Sequence, residues 1–143
     1  PESRADLVMH VHRISILLLA ALLLLACAAV DNSKKSITLD QATRYYETCI
    51  RWAEFKVADS MRRLEHNNHY TPSRDTLKRI KVTSYETLST RAVDDNATVH
   101  IQVEIVYYNE GSMKLVTLID NQVWKYDAEN KSWYITTPLP AFR

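Results

Sequence analysis

Glycine is almost missing from this chain: Gly111 is the only one in 143 residues. Phosphate-cradling loops, the dinucleotide fingerprint and glycine-turn repeats all need backbone that only glycine adopts at little cost, so nucleotide-dependent chemistry is not expected. Charge of one sign is also lacking. Lys and Arg number 18 against 17 Asp and Glu, a net +1, and no long-range field gathers nucleic acid. Cysteine is limited to Cys27 and Cys49. His66 and His69 stand three apart without a third ligand nearby, and His100 and Glu104 share the outward side of a strand pattern. Both pairs read as solvated surface, so no metal and no cofactor is expected.

What the chain does have is one long apolar run. Ile14 to Val30 is 17 residues with Ser15 its only polar member, and Arg13 stands before it. Its length lies at the lower limit for crossing a roughly 30 Å hydrocarbon layer as a helix, and the small residues Ala26, Cys27, Ala28 and Ala29 close it. This is the pattern of a secretory leader that starts at Met9. Leu24-Leu25-Ala26-Cys27 resembles the lipobox of bacterial lipoproteins. The resemblance implies a diacylglycerated thiol on Cys27, cleavage before it and acylation of the new N-terminus by palmitate-type chains. Ala28 after the cysteine leans towards sorting to the periplasmic face of the outer membrane. Cutting near Ala26 or Ala29 by ordinary signal peptidase, or an uncleaved anchor, stays open. The expected organisation is upstream residues and leader over 1–26, lipidated Cys27 and a polar spacer over 27–37, and a single domain over 38–143.

Thr38-Leu39-Asp40-Gln41 has the form of a capping box, which predicts a helix start. Ala42, Tyr46, Cys49, Ala53, Val57, Met61 and Leu64 recur at steps of three and four, so one amphipathic helix of about eight turns is expected. Trp52, Phe55 and Tyr45 fall off that stripe; they widen the buried face or make contact with something else, Trp52 and Phe55 as part of a contact surface. Asn67, Asn68 and Pro72 end the helix, with a short second helix allowed over 73–79. Cys49 sits on the stripe as core filler.

From Ile80 the period changes to two. Ala97, Val99, Ile101, Val103, Ile105 and Tyr107 alternate with polar positions, the clearest strand in the chain. A weaker strand over 82–92 leads in, one over 113–126 follows with an interruption near Asp120 and Asn121, and Trp133 to Ile135 is the last. Gly111 is expected at a positive φ in the Asn109 to Ser112 turn. The fold class is α+β: one long N-terminal helix packed on a curved four-stranded antiparallel sheet. The element order and the ending Val123-Trp124-Lys125-Tyr126 with Trp133-Tyr134-Ile135 resemble the cystatin-like and NTF2-like exported domains.

No convergent acid and base is legible. The catalytic candidates are Asp120 with Tyr107 or Tyr126, set against the reading of a turn aspartate and core tyrosines. The aromatic residues Trp52, Tyr107, Trp124, Tyr126 and Trp133 form the candidate groove or ligand-binding set. The leading expectation is a non-catalytic, membrane-tethered envelope lipoprotein that binds another envelope protein as an accessory or assembly factor. The alternative is a carrier or sensor of a small apolar ligand in the helix–sheet groove. A ketosteroid-isomerase-like enzyme ranks third, since it needs a buried, inward carboxylate. Cys27→Ser is expected to abolish incorporation of labelled palmitate and to leave an unprocessed precursor or a released chain. If the variant is instead processed to a mature form that remains membrane-bound, the lipobox reading is rejected.

Overall fold

The computed structural model describes residues 33–63, 72–93 and 96–143. The leader, Cys27, Leu64, His66 and His69 lie outside the described residues. The chain divides between Ser36 and Ile37 into two compact units. Residues 33–36 of the first are helical. The second opens on a helix over 37–51, here α1, and continues with α2 (Phe55–Ser60), α3 (Arg74–Leu77), β1 (Ile80–Val93), β2 (Thr98–Asn109), β3 (Leu115–Asp127) and β4 (Ser132–Ile135). It is an α+β unit whose four strands pair antiparallel in chain order.

The alternation along β2 is what fixes this sheet. Val99, Ile101, Val103, Ile105 and Tyr107 all face the core, and the register carries that face onto Trp124, Gln122, Asp120, Leu118 and Val116 of β3. A slip of one residue would turn the whole set to solvent. β3 runs unbroken through Asp120 and Asn121, where an interruption was expected. β1 has register shifts between Val82 and Ser84 and between Thr87 and Ser89. Such bulges bend an edge strand and blunt it as a template for further pairing. On the opposite edge Arg62 bridges Ile135, with Ile135 N–H donating to the Met61 carbonyl at 3.1 Å.

Three further expectations need correction or refinement. Residues 33–37 are already helical, so Thr38 is no N-cap; its hydroxyl instead accepts the Trp133 indole N–H at 3.2 Å. Gly111 does not adopt a positive φ. Met113 does, at 55°, while the Gly111 N–H closes a local turn onto the Asn109 carboxamide oxygen at 2.9 Å. The short helix after Pro72 forms as α3, capped by Ser73, whose hydroxyl accepts the Thr76 N–H at 3.1 Å.

The largest difference is that the apolar repeat from Ala42 to Met61 is not one helix. The Ala53 N–H donates to the Ile50 carbonyl at 3.2 Å and the Glu54 N–H to the Cys49 carbonyl at 2.8 Å. This is a Schellman ending, with Ala53 in the left-handed position at φ 58°. The break lets Phe55 turn into the core, where its ring lies 5.3 Å from Phe142, while Trp52 is left outside. Alanine in this conformation costs about 1–2 kcal/mol, which glycine would relieve at some cost in unfolded-state freedom. Ala53→Gly is therefore expected to stabilise the unit by about 0.5–1 kcal/mol in urea unfolding. A destabilised variant would mean that the left-handed turn is not held at 53.

Candidate functional site

The five aromatic residues singled out in the sequence do not gather in a groove. Tyr107, Trp124 and Trp133 are buried and Tyr126 packs against the core from a half-buried position. Their rings are engaged with other rings: Trp124 with Tyr46 edge-on at 5.6 Å, Tyr107 with Phe142 at 5.0 Å, and Tyr126 with Trp133 at 5.3 Å. The Trp124 indole N–H donates to the Gln122 side-chain oxygen at 3.0 Å. Within the candidate set, the one ring pair is Tyr126 with Trp133. Trp52 stands apart at the end of α1 and is 76% exposed.

That position matters because of what the break beside it builds. Ala53, Phe55 and Lys56 from the break and α2 line a cleft of about 280 Å³ with Arg74, Leu77 and Lys78 from α3. Its floor is apolar and its rim cationic. Lys78 meets the Asp75 carboxylate at 3.3 Å, both well exposed, and the described residues give Lys56 and Arg74 no ion-pair partner. The sequence signalled Trp52 and Phe55 as off the stripe. It could not bring them to Arg74 and Lys78, about twenty residues on, because nothing periodic links the two segments.

A second cleft, of about 270 Å³, lies between α1 and the sheet. Asp40, Thr43, Arg44 and Glu47 stand on its helical wall; Tyr85, Thr87, Ile101 and Gln122 form the sheet side. Two of the wall charges pair, Arg44 with Asp40 at 2.9 Å. The Gln122 amide is the hub of the sheet side, donating to the Tyr85 hydroxyl at 2.9 Å and to the Asp120 carboxylate at 2.7 Å. Asp120 is thus no turn residue. It faces inward from β3, beside Tyr85 and Tyr46 rather than Tyr107 or Tyr126, and strand alternation carried straight through 120 and 121 was the signal that could have found it. Burial pushes its carboxyl up to about 6, against the opposing pull of the Gln122 hydrogen bond. Burial likewise raises the Tyr85 and Tyr46 phenols, and Asp120 adds to both shifts. Among the described residues the enclosed Tyr46 hydroxyl has no hydrogen-bond partner, nor do Nε and Nη1 of Arg62, whose remaining nitrogen pairs with Asp59.

Cys49 is enclosed on α1, and burial raises its thiol. Among the described residues no group of three His, Cys, Asp or Glu side chains comes together, and no helix is long and apolar enough to cross a membrane. Comparison with protein-family models, with curated proteins and with solved structures gives no match for this chain.

The raised Asp120 carboxyl has a defined consequence for stability. The native state holds its proton more tightly than the unfolded chain, so the group's contribution is greatest below about pH 4 and is lost as pH rises from about 4 to about 6. Asp120→Asn keeps an oxygen for the Gln122 amide and removes the buried charge. It is expected to flatten the unfolding free energy between pH 4 and 6 and to add about 1–2 kcal/mol at pH 7. Urea unfolding at pH 4.5 and 7.0 checks both, and an unchanged pH slope in the variant would assign the dependence to another group.

Proposed function

We propose that the chain is a lipid-tethered envelope lipoprotein whose α+β unit is a non-catalytic binding module for another envelope protein. The tether rests on the leader and the lipobox at Cys27, and the likeness to the cystatin-like and NTF2-like exported domains rests on the order of helices before a four-stranded antiparallel sheet and on the aromatic ending. One structural observation carries the module. The break at Ala53 leaves the Trp52 indole in solvent beside an apolar cleft with a cationic rim, while Trp124 and Trp133 are enclosed in the core. Tryptophan and arginine are both enriched at interface hot spots, and this stretch of surface carries an exposed tryptophan one residue from a cleft that an arginine lines. Ile37 and Tyr45 lie exposed on α1 and add apolar surface to the same helix. The carrier alternative drew on aromatic residues that the core uses, so no observation favours it over the module.

One observation favours the enzyme reading. Asp120 is the inward, buried carboxyl that an isomerase of this type requires, with two phenols near it. Its reach towards the cleft runs through the Gln122 amide, whose donors are already committed to Asp120 and Tyr85. A group held in this way orders the core more readily than it exchanges protons with a ligand, and the module is the better supported function.

Photocrosslinking in the native membrane tests it. Benzoylphenylalanine at Trp52 is expected to give one discrete adduct with another envelope protein, and at Glu129, on the exposed β3–β4 turn, none. Adducts at neither position, or equally at both, would reject the module.

A further inference from the structure

We infer that the cleft at the α1–α2 break receives an acidic segment of the partner protein, a carboxylate seated among Lys56, Arg74 and Lys78 and an adjacent apolar side chain laid on Phe55 and Leu77. This rests on the reading of the unit as a protein-binding module and adds the chemistry of the partner.

Like charge is gathered at one concavity. Elsewhere on the described surface several charges pair with an opposite neighbour: Asp40 with Arg44 at 2.9 Å, Glu47 with Arg51 at 3.4 Å, Arg63 with Asp127 at 2.6 Å and Lys81 with Glu110 at 3.6 Å. At this cleft three cations from two segments converge, and among the described residues Lys78 alone of the three has an acid, Asp75, to share. That pair is exposed and worth little, so the carboxylate of a partner can displace it. Arg74 supplies a planar fork that suits a carboxylate, and Lys56 and Lys78 act as point charges beside it.

Shape decides among anions. A cleft of about 280 Å³ falls just below the range of small-molecule pockets and has room for one or two side chains. Nucleic acid requires a basic stripe that follows a backbone over many phosphates, which a nearly neutral chain with one cationic cleft does not offer. A lipid surface is met by a broad face of about four to eight basic residues, whereas these three rim a concavity with an apolar floor. An acidic side chain next to a leucine-like one matches both parts, and Trp52, one residue before the lining residue Ala53, adds exposed apolar surface to the same stretch of chain.

The test uses the full chain in detergent micelles and two labelled peptides, Ac-Glu-Glu-Leu-Glu-Glu-NH2 and its all-Gln counterpart. The Glu peptide is expected to bind at least tenfold more tightly, to weaken as salt rises, and to lose at least tenfold in the Lys56→Glu/Arg74→Glu double variant. Both changes are at exposed positions, so the thermal midpoint should not move; Lys56→Gln/Arg74→Gln, which removes charge without reversing it, gives an intermediate loss. Equal binding of the two peptides, or binding that survives the double variant, overturns the inference. Protection of Lys56 and Lys78 from acetylation by phosphatidylglycerol nanodiscs, without peptide binding, overturns it in favour of a lipid surface. The crosslink at Trp52 separates the two levels: an adduct whose captured segment is neutral or basic leaves the module standing and sinks the acidic-segment inference. A peptide result that follows charge and cleft, with no adduct, supports the cleft's chemistry and fails the module.

Discussion

Trp124 is fully enclosed, meets the ring of Tyr46 edge-on at 5.6 Å, and gives its indole N–H to Gln122. This one junction fastens α1 to the middle of the sheet, and much of the interior follows from it. A buried indole needs an acceptor, and on a sheet face the residue two positions away is the natural one. Placing an amide there obliges its own donors to find partners, which they do in Asp120 and the Tyr85 hydroxyl. The polar stripe inside an otherwise apolar core thus completes a chain of hydrogen bonds that begins at a tryptophan. Asp120 is the member held least comfortably. Its raised carboxyl records burial that one amide does not fully offset.

Glycine scarcity shapes the outside as that junction shapes the inside. Ala53, Asn96, Met113 and Lys131 all have positive φ, and none is glycine. Each lies at an end or a reversal: the close of α1, the turn into β2, the β2–β3 hairpin and the β3–β4 hairpin. Asparagine tolerates this conformation through its short polar side chain; the other three are held there by what lies on either side. At Ala53 the holding force is visible as Phe55, which reaches Phe142 only because α1 stops where it does. The strain at one residue, a ring delivered to the core and a tryptophan turned outward are one event. The cationic cleft is its by-product, since the same turn brings Lys56 opposite α3.

How far the fold could be read depended on whether the information was periodic. The alternation from Val99 to Tyr107 specified a strand, its inward face and, through register, the inward face of its neighbour, all from local pattern. Turn residues marked both hairpins within a residue or two. Ala53 gave no warning, because the apolar spacing continues across it and the usual marker of a helix end, glycine, is absent. The tail was equally silent: Leu139, Pro140 and Phe142 are buried, with Phe142 between Phe55 and Tyr107, yet no repeat announces a segment that packs as coil. The aromatic set was legible as large and apolar but not as already covered. Whether a tryptophan lines a groove or fills a core depends on which residues cover it, and those come from α1 and the tail. The cleft's cations were missed for the same reason, being a juxtaposition of distant segments.

A single carboxylate seated among exposed cations contributes little in water, where each pair is screened and both side chains lose freedom on meeting. Such a contact would be a poor basis for a freely diffusing complex. Tethering changes the arithmetic. Two envelope proteins held at one membrane meet at an effective concentration in the millimolar range, so weak contacts suffice for occupancy and can still exchange. Specificity then rests on geometry, on an apolar residue set beside the acid, more than on total charge. The proposed lipid anchor and the modest, locally charged cleft therefore belong to one physical argument: the anchor supplies proximity, which lets the recognition surface stay small on a chain whose aromatic residues are mostly committed to its core.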